Sequence, residues 1–347
     1  MQCNRIGIVM LSAVGDVVHT LPVVTALKRQ WPTAMLSWVL QPGPATLVRG
    51  HPAVDEIITF ERQRGMRAFL DARRELSRRE FDVVLDLQSY FKAGLITSFS
   101  RSPIKLGYDR ARARDLNWMF TNRHLAPRPR QHIQEEYLEF LDALGVPRDP
   151  LTWQLGPWPK ERGWQDEFFA RFDRPVAALV IGSSKPQKGW PAERWARLAE
   201  ILYSDYHLQP VLVGARSSDE EATERRVTQL VPGRAASALG SGLRRLVAIL
   251  DRSALVVSID TGPLHMAVAL ERPVISLMGY TNPKRVGPWR RFHDLLIDAY
   301  GDPGEQYPIS METRRDRMHR IRVEDVQTKL EIWRERYAPV VGVAPLG

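Results

Sequence analysis

The feature that most constrains this chain is an alternation of short apolar strands with helical segments, which runs through the sequence twice. The first half has four apolar segments rich in Val, Ile and Leu, at residues 6–11, 35–40, 57–60 and 81–87. Helical patterns separate them, which is typical of βαβ units and predicts a mostly parallel sheet. The alternation begins again at residue 176. The sequence therefore predicts an α/β protein with two Rossmann-like domains that face each other across a cleft.

The boundary between the two halves is predicted in residues 146–164, a stretch rich in Pro, Gly and Trp that lacks periodicity. We expect a first domain at residues 1–155 and a second at residues 156–322. Apolar residues at helical spacing predict a final amphipathic helix over 323–337. The tail, 338–347, has no such pattern and is expected to be loosely held.

The composition favours an anionic partner. Lys and Arg number 49 against 40 Asp and Glu, so the formal net charge is +9. Nucleic acid, an acidic membrane surface and a phosphorylated substrate all suit such a charge, but no nucleic-acid-binding module is present, and we expect no nucleic acid as partner. The single cysteine, Cys3, excludes an internal disulfide framework and fits the reducing cytoplasm.

Much of the positive charge lies in two segments of the first half. Residues 101–130 hold eight basic residues and two acidic ones, and residues 62–79 hold seven arginines. One interpretation is a solvated helix face with loops, and the other is a basic wall that faces an anionic ligand. The pattern alone leaves both open.

A strand-to-helix turn at residues 258–265 is the first candidate site. An apolar strand precedes it, so the turn is expected at the carboxyl end of a parallel sheet, where α/β folds bind ligands. Asp260 and Thr261 suit a helix N-cap, Gly262 allows close approach to a ligand, and Pro263 suits the first helical turn. Free N–H groups there would suit a phosphate. A capped turn without a ligand is the alternative.

Two further loops carry candidate residues. Asp16 follows the first strand and could act as a general base, or could be an acid favoured by the helix dipole. The loop 182–191 offers Lys185 and Lys188, either of which could neutralise phosphate charge or be a solvated lysine.

Several familiar motifs are absent from the sequence. It has no G-x-x-x-x-G-K-[ST] phosphate loop, no H-E-x-x-H motif, no G-x-S-x-G nucleophile elbow and no D-x-D pair for a divalent ion. The eight histidines are scattered. We therefore expect neither a metal site nor a cofactor.

Taken together, the three loops resemble glycosyltransferase family 9, the heptosyltransferases that build the inner core of lipopolysaccharide. The similarity is greatest to the branch that adds the first heptose. It rests on G-D-V-V-H-T-L-P at 15–22, K-G-W-P-A-E-R-W at 188–195, D-T-G-P-L-H at 260–265 and G-Y-T-N-P at 279–283, with D-L-Q at 86–88. The matching segments extend from residue 5 to about residue 326.

The resemblance implies a GT-B fold, with the acceptor bound by the first domain and the nucleotide sugar by the second. The helix over 323–337 would cross back to the first domain. It also implies an inverting, metal-independent transfer of heptose from ADP-heptose to an acidic acceptor of the Kdo-lipid A type. Asp16 would deprotonate the acceptor hydroxyl, and Lys188 would offset the charge of the leaving diphosphate.

The family's donor motifs imply roles for five residues. Lys188 and Thr261, with the N–H groups of Thr261 and Gly262, would hold the diphosphate. Asp260 would bind hydroxyls of the transferred sugar, and His265 would lie near the donor as support.

The acceptor of the family is lipid-linked and anionic, and the basic segments would grip it. The arginines expected to do so are Arg62, Arg64, Arg67, Arg112 and Arg114. The enzyme would then be cytoplasmic and peripheral on the cytoplasmic face of the inner membrane.

Two alternatives stay open. Tyr280 and Asn282 stand where many members of the family have Pro and Asp, so a different nucleotide sugar or glycan acceptor is possible. The second alternative is a non-catalytic protein that binds a nucleotide sugar or a polyanion.

Overall fold

The computed structural model describes residues 2–338. The chain divides into two compact units between Leu155 and Gly156. The strands of the first unit are β1 (Arg5–Val9), β2 (Met35–Leu40), β3 (Glu56–Thr59), β4 (Val83–Asp86), β5 (Lys105–Gly107) and β6 (Arg123–His124). Its helices are α1 (Val14–Gln30), α2 (Pro42–Val48), α3 (Met66–Ser77), α4 (Phe91–Ser98) and α5 (Ile133–Leu144).

The second unit repeats this pattern of strands and helices. Its strands are β7 (Val176–Val180), β8 (Gln209–Val213), β9 (Ala236–Ser237), β10 (Leu255–Ile259), β11 (Val274–Met278) and β12 (Leu296–Asp298). Its helices are α6 (Pro159–Phe169), α7 (Ala192–Ser204), α8 (Ser218–Leu230), α9 (Leu243–Arg252), α10 (Gly262–Ala269), α11 (Pro283–Val286) and α12 (Val323–Arg336).

Both sheets are parallel and share one strand order. The first is β3-β2-β1-β4-β5-β6 and the second is β12-β11-β10-β7-β8-β9, which is the same order counted from the opposite edge of the sheet. This is the doubly wound order, in which successive strands are added first toward one edge of the sheet and then toward the other, starting from two central strands. The reversal lies between β1 and β4 in the first unit and between β7 and β10 in the second. Ligands of such folds bind beyond the carboxyl ends of these strands.

The central strands are apolar because helices cover both faces of each sheet. All five residues of β7 and of β10 are buried. Pairing is in register from Ile6 with Val83 to Val9 with Asp86, so the ends of β1 and β4 lie side by side. The same holds for β7 and β10, where Val180 pairs with Ser258. This register brings the loops after paired strands together.

Two segments differ from the sequence-based prediction. The predicted linker is shorter than 146–164, because α6 begins at Pro159. The Trp158 N–H donates to the Glu161 carboxylate at 2.9 Å, and Glu161 pairs with Arg244 at 2.6 Å. In the basic segment 101–130, the short strands β5 and β6 and a 3-10 turn at Asn117–Phe120 were not predicted, because polar residues interrupt every apolar run there.

The final helix packs on its own unit. On α12, Val326 and Leu330 are fully buried, and Trp333 Nε1 donates to the Ala254 carbonyl oxygen at 3.1 Å. The expected return of this helix to the first domain stays a prediction. The predicted tail, 338–347, lies outside the described residues apart from Ala338. No helix within residues 2–338 has the length and apolar character that a membrane span needs.

Candidate active site

Asp16 lies on the first turn of α1, directly after the central strand β1. Its carboxylate accepts a hydrogen bond from the Ala13 N–H at 2.9 Å and another from the Tyr137 hydroxyl at 3.0 Å. Tyr137 belongs to α5, which packs against α1. The carboxylate is therefore held in a fixed orientation at the point where the strand order of the first sheet reverses. That is a suitable place for a group that takes a proton from a bound hydroxyl.

Asp86 ends the neighbouring strand β4 and is completely buried. Burial raises the pKa of its carboxyl group to about 7, while hydrogen bonds from the Asn117 side chain and the Gln88 N–H oppose the shift. The Asn117 Nδ2 atom lies 2.9 Å from Asp86 Oδ2 and 3.2 Å from the Gln88 carbonyl oxygen. Asp86 therefore links the end of β4 to the 3-10 turn at Asn117–Phe120.

The second unit brings three candidate motifs onto one carboxylate. The Lys188 ammonium group lies 2.6 Å from Asp260 Oδ2 and 3.1 Å from the Asp260 carbonyl oxygen. The Thr281 hydroxyl donates to the same Oδ2 atom. The lysine follows β7, the aspartate follows β10 and the threonine follows β11, so three adjacent strand ends meet here.

This ion pair is sheltered from solvent. The side chain of Lys188 is 17% exposed and that of Asp260 is 6% exposed. A lysine held at this depth interacts more strongly with an anion than a lysine surrounded by water. The pairing was not predicted, since the sequence analysis assigned Lys188 to the diphosphate and Asp260 to the sugar hydroxyls.

The helix α10 starts beside this pair, and no side chain within residues 2–338 caps its first turn. Thr261 is the N-cap of α10, but its side chain does not cap the helix. Gly262 and Pro263 form the first turn. An N-terminus of this kind offers N–H groups and a partial positive charge to an anion. His265 is buried on the same helix, and its predicted supporting role stays a prediction.

The predicted acceptor arginines do not share one environment. Arg62, Arg64, Arg67 and Arg114 are exposed, and Arg64 pairs with Asp71 at 2.7 Å. The role of these four arginines in binding the acceptor stays a prediction.

Arg112 requires a correction. Its side chain is 2% exposed and pairs with both Asp109 and Glu139. The Glu139 carboxylate binds it through two contacts, at 2.8 and 2.9 Å. A guanidinium group that is buried and bound by two carboxylates is not available to an acceptor. Arg112 instead joins the 109–114 loop to α5.

Sequence reasoning missed two residues of these clusters. Tyr137 is 121 positions from Asp16, and no local pattern connects them. Thr281 lies inside a motif that was recognised, but the motif gave it no partner. In residues 2–338, no group of three or more His, Cys, Asp or Glu side chains is placed to hold a metal ion.

Two parallel sheets in the doubly wound order, each with polar side chains at its reversal point, define an α/β protein of the GT-B type. The predicted fold class is thereby confirmed, while the cleft between the domains stays a prediction. Residues 69–302 match glycosyltransferase family 9 (heptosyltransferase). The chain belongs to this family and is a glycosyltransferase.

Known relatives cover nearly the whole chain. The lipopolysaccharide core heptosyltransferase OpsX of Haemophilus influenzae is 27% identical over 329 residues, which are 92% of this chain and 94% of that protein. The structure of Escherichia coli heptosyltransferase WaaC with ADP has 25% identity and a TM-score of 0.74, and the match covers 96% of this chain and 99% of that one. A family 9 glycosyltransferase from Veillonella parvula has the same fold, with 22% identity, a TM-score of 0.79 and coverage of 95% and 96%.

Proposed function

We propose that this protein transfers heptose from ADP-heptose to an acidic acceptor of the Kdo-lipid A type during lipopolysaccharide inner-core synthesis. The transfer inverts the anomeric configuration and needs no metal ion. The relatives named above support the sugar and the pathway. The WaaC structure holds ADP, which supports a nucleoside diphosphate as the part of the donor that is bound.

The observation that carries the proposal is the convergence of Lys188, Asp260 and Thr281 beside the start of α10. The cation and the helix N-terminus together suit a diphosphate. Asp260 holds the lysine in place and, once the donor is bound, accepts hydrogen bonds from the sugar hydroxyls. Positive charge from the protein thus does what a divalent ion does in other transferases.

The reaction is a single displacement. Asp16 takes the proton of the acceptor hydroxyl as that oxygen forms a bond to C1 of the heptose. The bond from C1 to the diphosphate oxygen breaks on the opposite face, and its electron pair stays on ADP. Lys188 and the Thr261 and Gly262 amides stabilise the negative charge that develops on the diphosphate.

The acceptor is membrane-borne, so the proposal includes peripheral contact with the cytoplasmic face of the inner membrane. The basic first unit supports this part, because exposed arginines attract anionic lipid and acceptor phosphates.

The test is ADP release in the presence of ADP-heptose and Kdo-lipid A, with and without EDTA. We expect turnover that EDTA leaves unchanged. Asp16→Asn should lower kcat by about a factor of 10³ while ADP-heptose still binds, because general base catalysis contributes about 10²–10⁴. A non-catalytic binder would show no turnover in either protein.

A matched pair of lysine variants tests the donor site. Lys188→Met should weaken ADP binding by at least about tenfold, because the diphosphate loses its contact with a sheltered ammonium group. Lys185→Met removes an exposed lysine of the same loop and should leave ADP binding within about twofold. Equal losses in the two variants would contradict the assignment of Lys188. A panel of other nucleotide sugars in the same binding assay tests the choice of donor.

A further inference from the structure

Exposed apolar side chains are concentrated in one part of the first unit. Among residues 2–338, eight large hydrophobic side chains are exposed, and six of them lie between Met66 and Met119. Four come from two short segments: Tyr90 and Phe91 are 40% and 43% exposed, and Leu116 and Met119 are 58% and 62% exposed. Single exposed hydrophobic residues are ordinary, but a cluster of them marks an interaction surface.

The two segments are adjacent and form one surface. Asn117 Nδ2 donates to the Tyr90 carbonyl oxygen at 3.0 Å. The rings of Phe91 and Phe120 meet edge to face, with centroids 5.2 Å apart. Arg114 donates to the Tyr90 hydroxyl at 3.3 Å. We call the surface formed by Tyr90, Phe91, Leu116 and Met119 the 90–119 patch.

Cations stand beside the apolar side chains of the patch. The Arg114 guanidinium lies 5.1 Å from the centre of the Tyr90 ring, and that of Arg110 lies 5.0 Å from the Trp118 ring. Lys92 follows Phe91 and is exposed. Guanidinium groups, aromatic rings and long aliphatic side chains in one place match the boundary between lipid headgroups and acyl chains.

Two residues at the patch have a left-handed backbone conformation, and one of them is an exposed leucine. Asp115 and Leu116 have φ angles of 50° and 62°. The left-handed region disfavours a leucine, and Gly or Asn adopts it at lower cost. Leu116 is mostly exposed, so burial does not compensate for this cost. An apolar side chain held outward against its backbone preference indicates a binding role.

We propose that the 90–119 patch docks onto an anionic lipid bilayer, with Leu116 and Met119 inserted among the lipid headgroups and with Arg110 and Arg114 on lipid phosphates. This patch is the membrane-contacting surface of the enzyme. The proposal rests on the proposed function in one respect, since a membrane-borne acceptor is the reason that the enzyme needs such contact. The charge of the patch selects an acidic bilayer over a neutral one.

The test is co-sedimentation of the full chain with vesicles of phosphatidylcholine alone and of phosphatidylcholine with phosphatidylglycerol. We expect binding to the acidic vesicles that weakens as salt rises. The double variant Leu116→Asn, Met119→Gln should bind at least about tenfold more weakly, because two inserted apolar side chains are lost. The matched control Met35→Gln, Leu230→Gln replaces two side chains that are 44% and 42% exposed elsewhere and should bind as the wild type does.

Two measurements distinguish a loss of membrane docking from a loss of folding or of catalysis. Leu116→Asn should keep or raise Tm, since Asn tolerates positive φ, so lost vesicle binding would not reflect unfolding. Turnover on a deacylated, water-soluble acceptor should stay within about twofold of wild type in the Leu116→Asn, Met119→Gln variant, since the patch acts on the bilayer only. If the wild type bound acidic vesicles without showing turnover, and the patch variant lost that binding, the proposed function would be wrong and the docking surface would stand.

Three outcomes would overturn the docking surface. The first is vesicle binding that the patch variant leaves unchanged. The second is equal binding to neutral and acidic vesicles. The third is a change of oligomeric state in the patch variant, which would make the 90–119 patch an interface between copies of this chain.

Discussion

The Asp16 carboxylate receives a hydrogen bond from the buried Tyr137 hydroxyl, which makes Tyr137 a positioning residue for the proposed base. Tyr137→Phe should lower kcat by about tenfold or more with little change in the KM for ADP-heptose, because a hydrogen bond to a charged group contributes about 1.5–3 kcal/mol. In an Asp16→Asn background the same change should cost much less. The measurement is a double-mutant cycle on kcat.

Tyr108→Phe provides the control for this cycle. Tyr108 is another buried tyrosine of the first unit, and its ring packs edge to face on Phe140 of α5. Removing the Tyr108 hydroxyl should change the free energy of unfolding and leave kcat unchanged. If Tyr137→Phe lowered kcat by the same factor with and without the Asp16 carboxylate, Tyr137 would act through the fold and not through Asp16.

Asp86 gives a pH dependence whose sign is fixed. Its pKa in the folded protein is about 7, above the ordinary value of 3.8, because burial disfavours the charged form. The folded state therefore holds the proton more tightly, and this group's contribution to stability falls as pH rises from about 4 to about 7. Relative to Asp86→Asn, the free energy of unfolding of wild type should drop by up to about 4 kcal/mol over that range.

Urea unfolding at a series of pH values measures this difference. Both proteins share every other titrating group, so subtracting their curves isolates the Asp86 carboxyl. A difference that stayed flat between pH 4 and 7, or that rose, would contradict a buried carboxyl with a raised pKa.

Single residues were predictable where position in the strand pattern identified them. Asp16, Lys188 and Asp260 each follow a predicted strand, and strand ends of parallel sheets bind ligands. The pairing of Lys188 with Asp260 was not predictable, because it depends on a contact across 72 positions. Arg112 and Arg114 could not be told apart, since neighbouring arginines in a loop give no sign of which one is buried.

The Glu220 carboxylate packs against the loops that follow β7 and β8. Glu220 accepts hydrogen bonds from the Ala215 and Ser217 N–H groups at 2.9 and 2.6 Å. A Cβ atom on Gly182 would lie 1.6 Å from its Oε1 atom, and one on Gly214 would lie 2.4 Å away. Gly182→Ala should therefore destabilise the protein by about 1–3 kcal/mol, as overpacking does.

Gly163→Ala is the matched control for this substitution. Gly163 is exposed on α6, and a Cβ atom there would meet nothing within 4 Å. Alanine favours a helix by about 1 kcal/mol over glycine, so this variant should melt at or above the wild-type temperature. Thermal unfolding of both variants checks the pair. A Gly182→Ala protein as stable as wild type would mean that the Glu220 carboxylate can move freely.

Regular elements were predicted well where apolar periodicity was unbroken. The strand Met35–Leu40 follows from its run of apolar residues, and the end of α5 at Gly145, which has a φ of 67°, follows from helix-capping chemistry. Strands β5 and β6 have only three and two residues, which is too short for a period to be visible. Helix α6 was hidden because its apolar face is narrow and a proline begins it.

The repeated strand order means that each unit has its own sheet and its own buried core. The prediction of Rossmann-like domains implies this strand order, because it is the order of the doubly wound fold. The helix α12 packs on its own unit through Trp333, and the return to the first domain that the resemblance implied stays a prediction. The packing face of a helix at a chain end is set by its tertiary partners, which the amphipathic pattern does not identify.

The second unit contains every residue proposed to bind the donor, and its final helix buries Val326 and Leu330 within it. A fragment that begins at Gly156 and runs to the C terminus should therefore fold cooperatively by itself. ADP should raise its Tm, because a ligand that binds only the folded state stabilises it by RT ln(1 + [L]/Kd). Differential scanning calorimetry with increasing ADP measures the shift. Lys188→Met should reduce the shift at each ADP concentration, because a higher Kd lowers the stabilisation, whereas Lys185→Met should keep it. A fragment that folds but shows no shift, while the full chain does, would mean that the first unit supplies donor contacts.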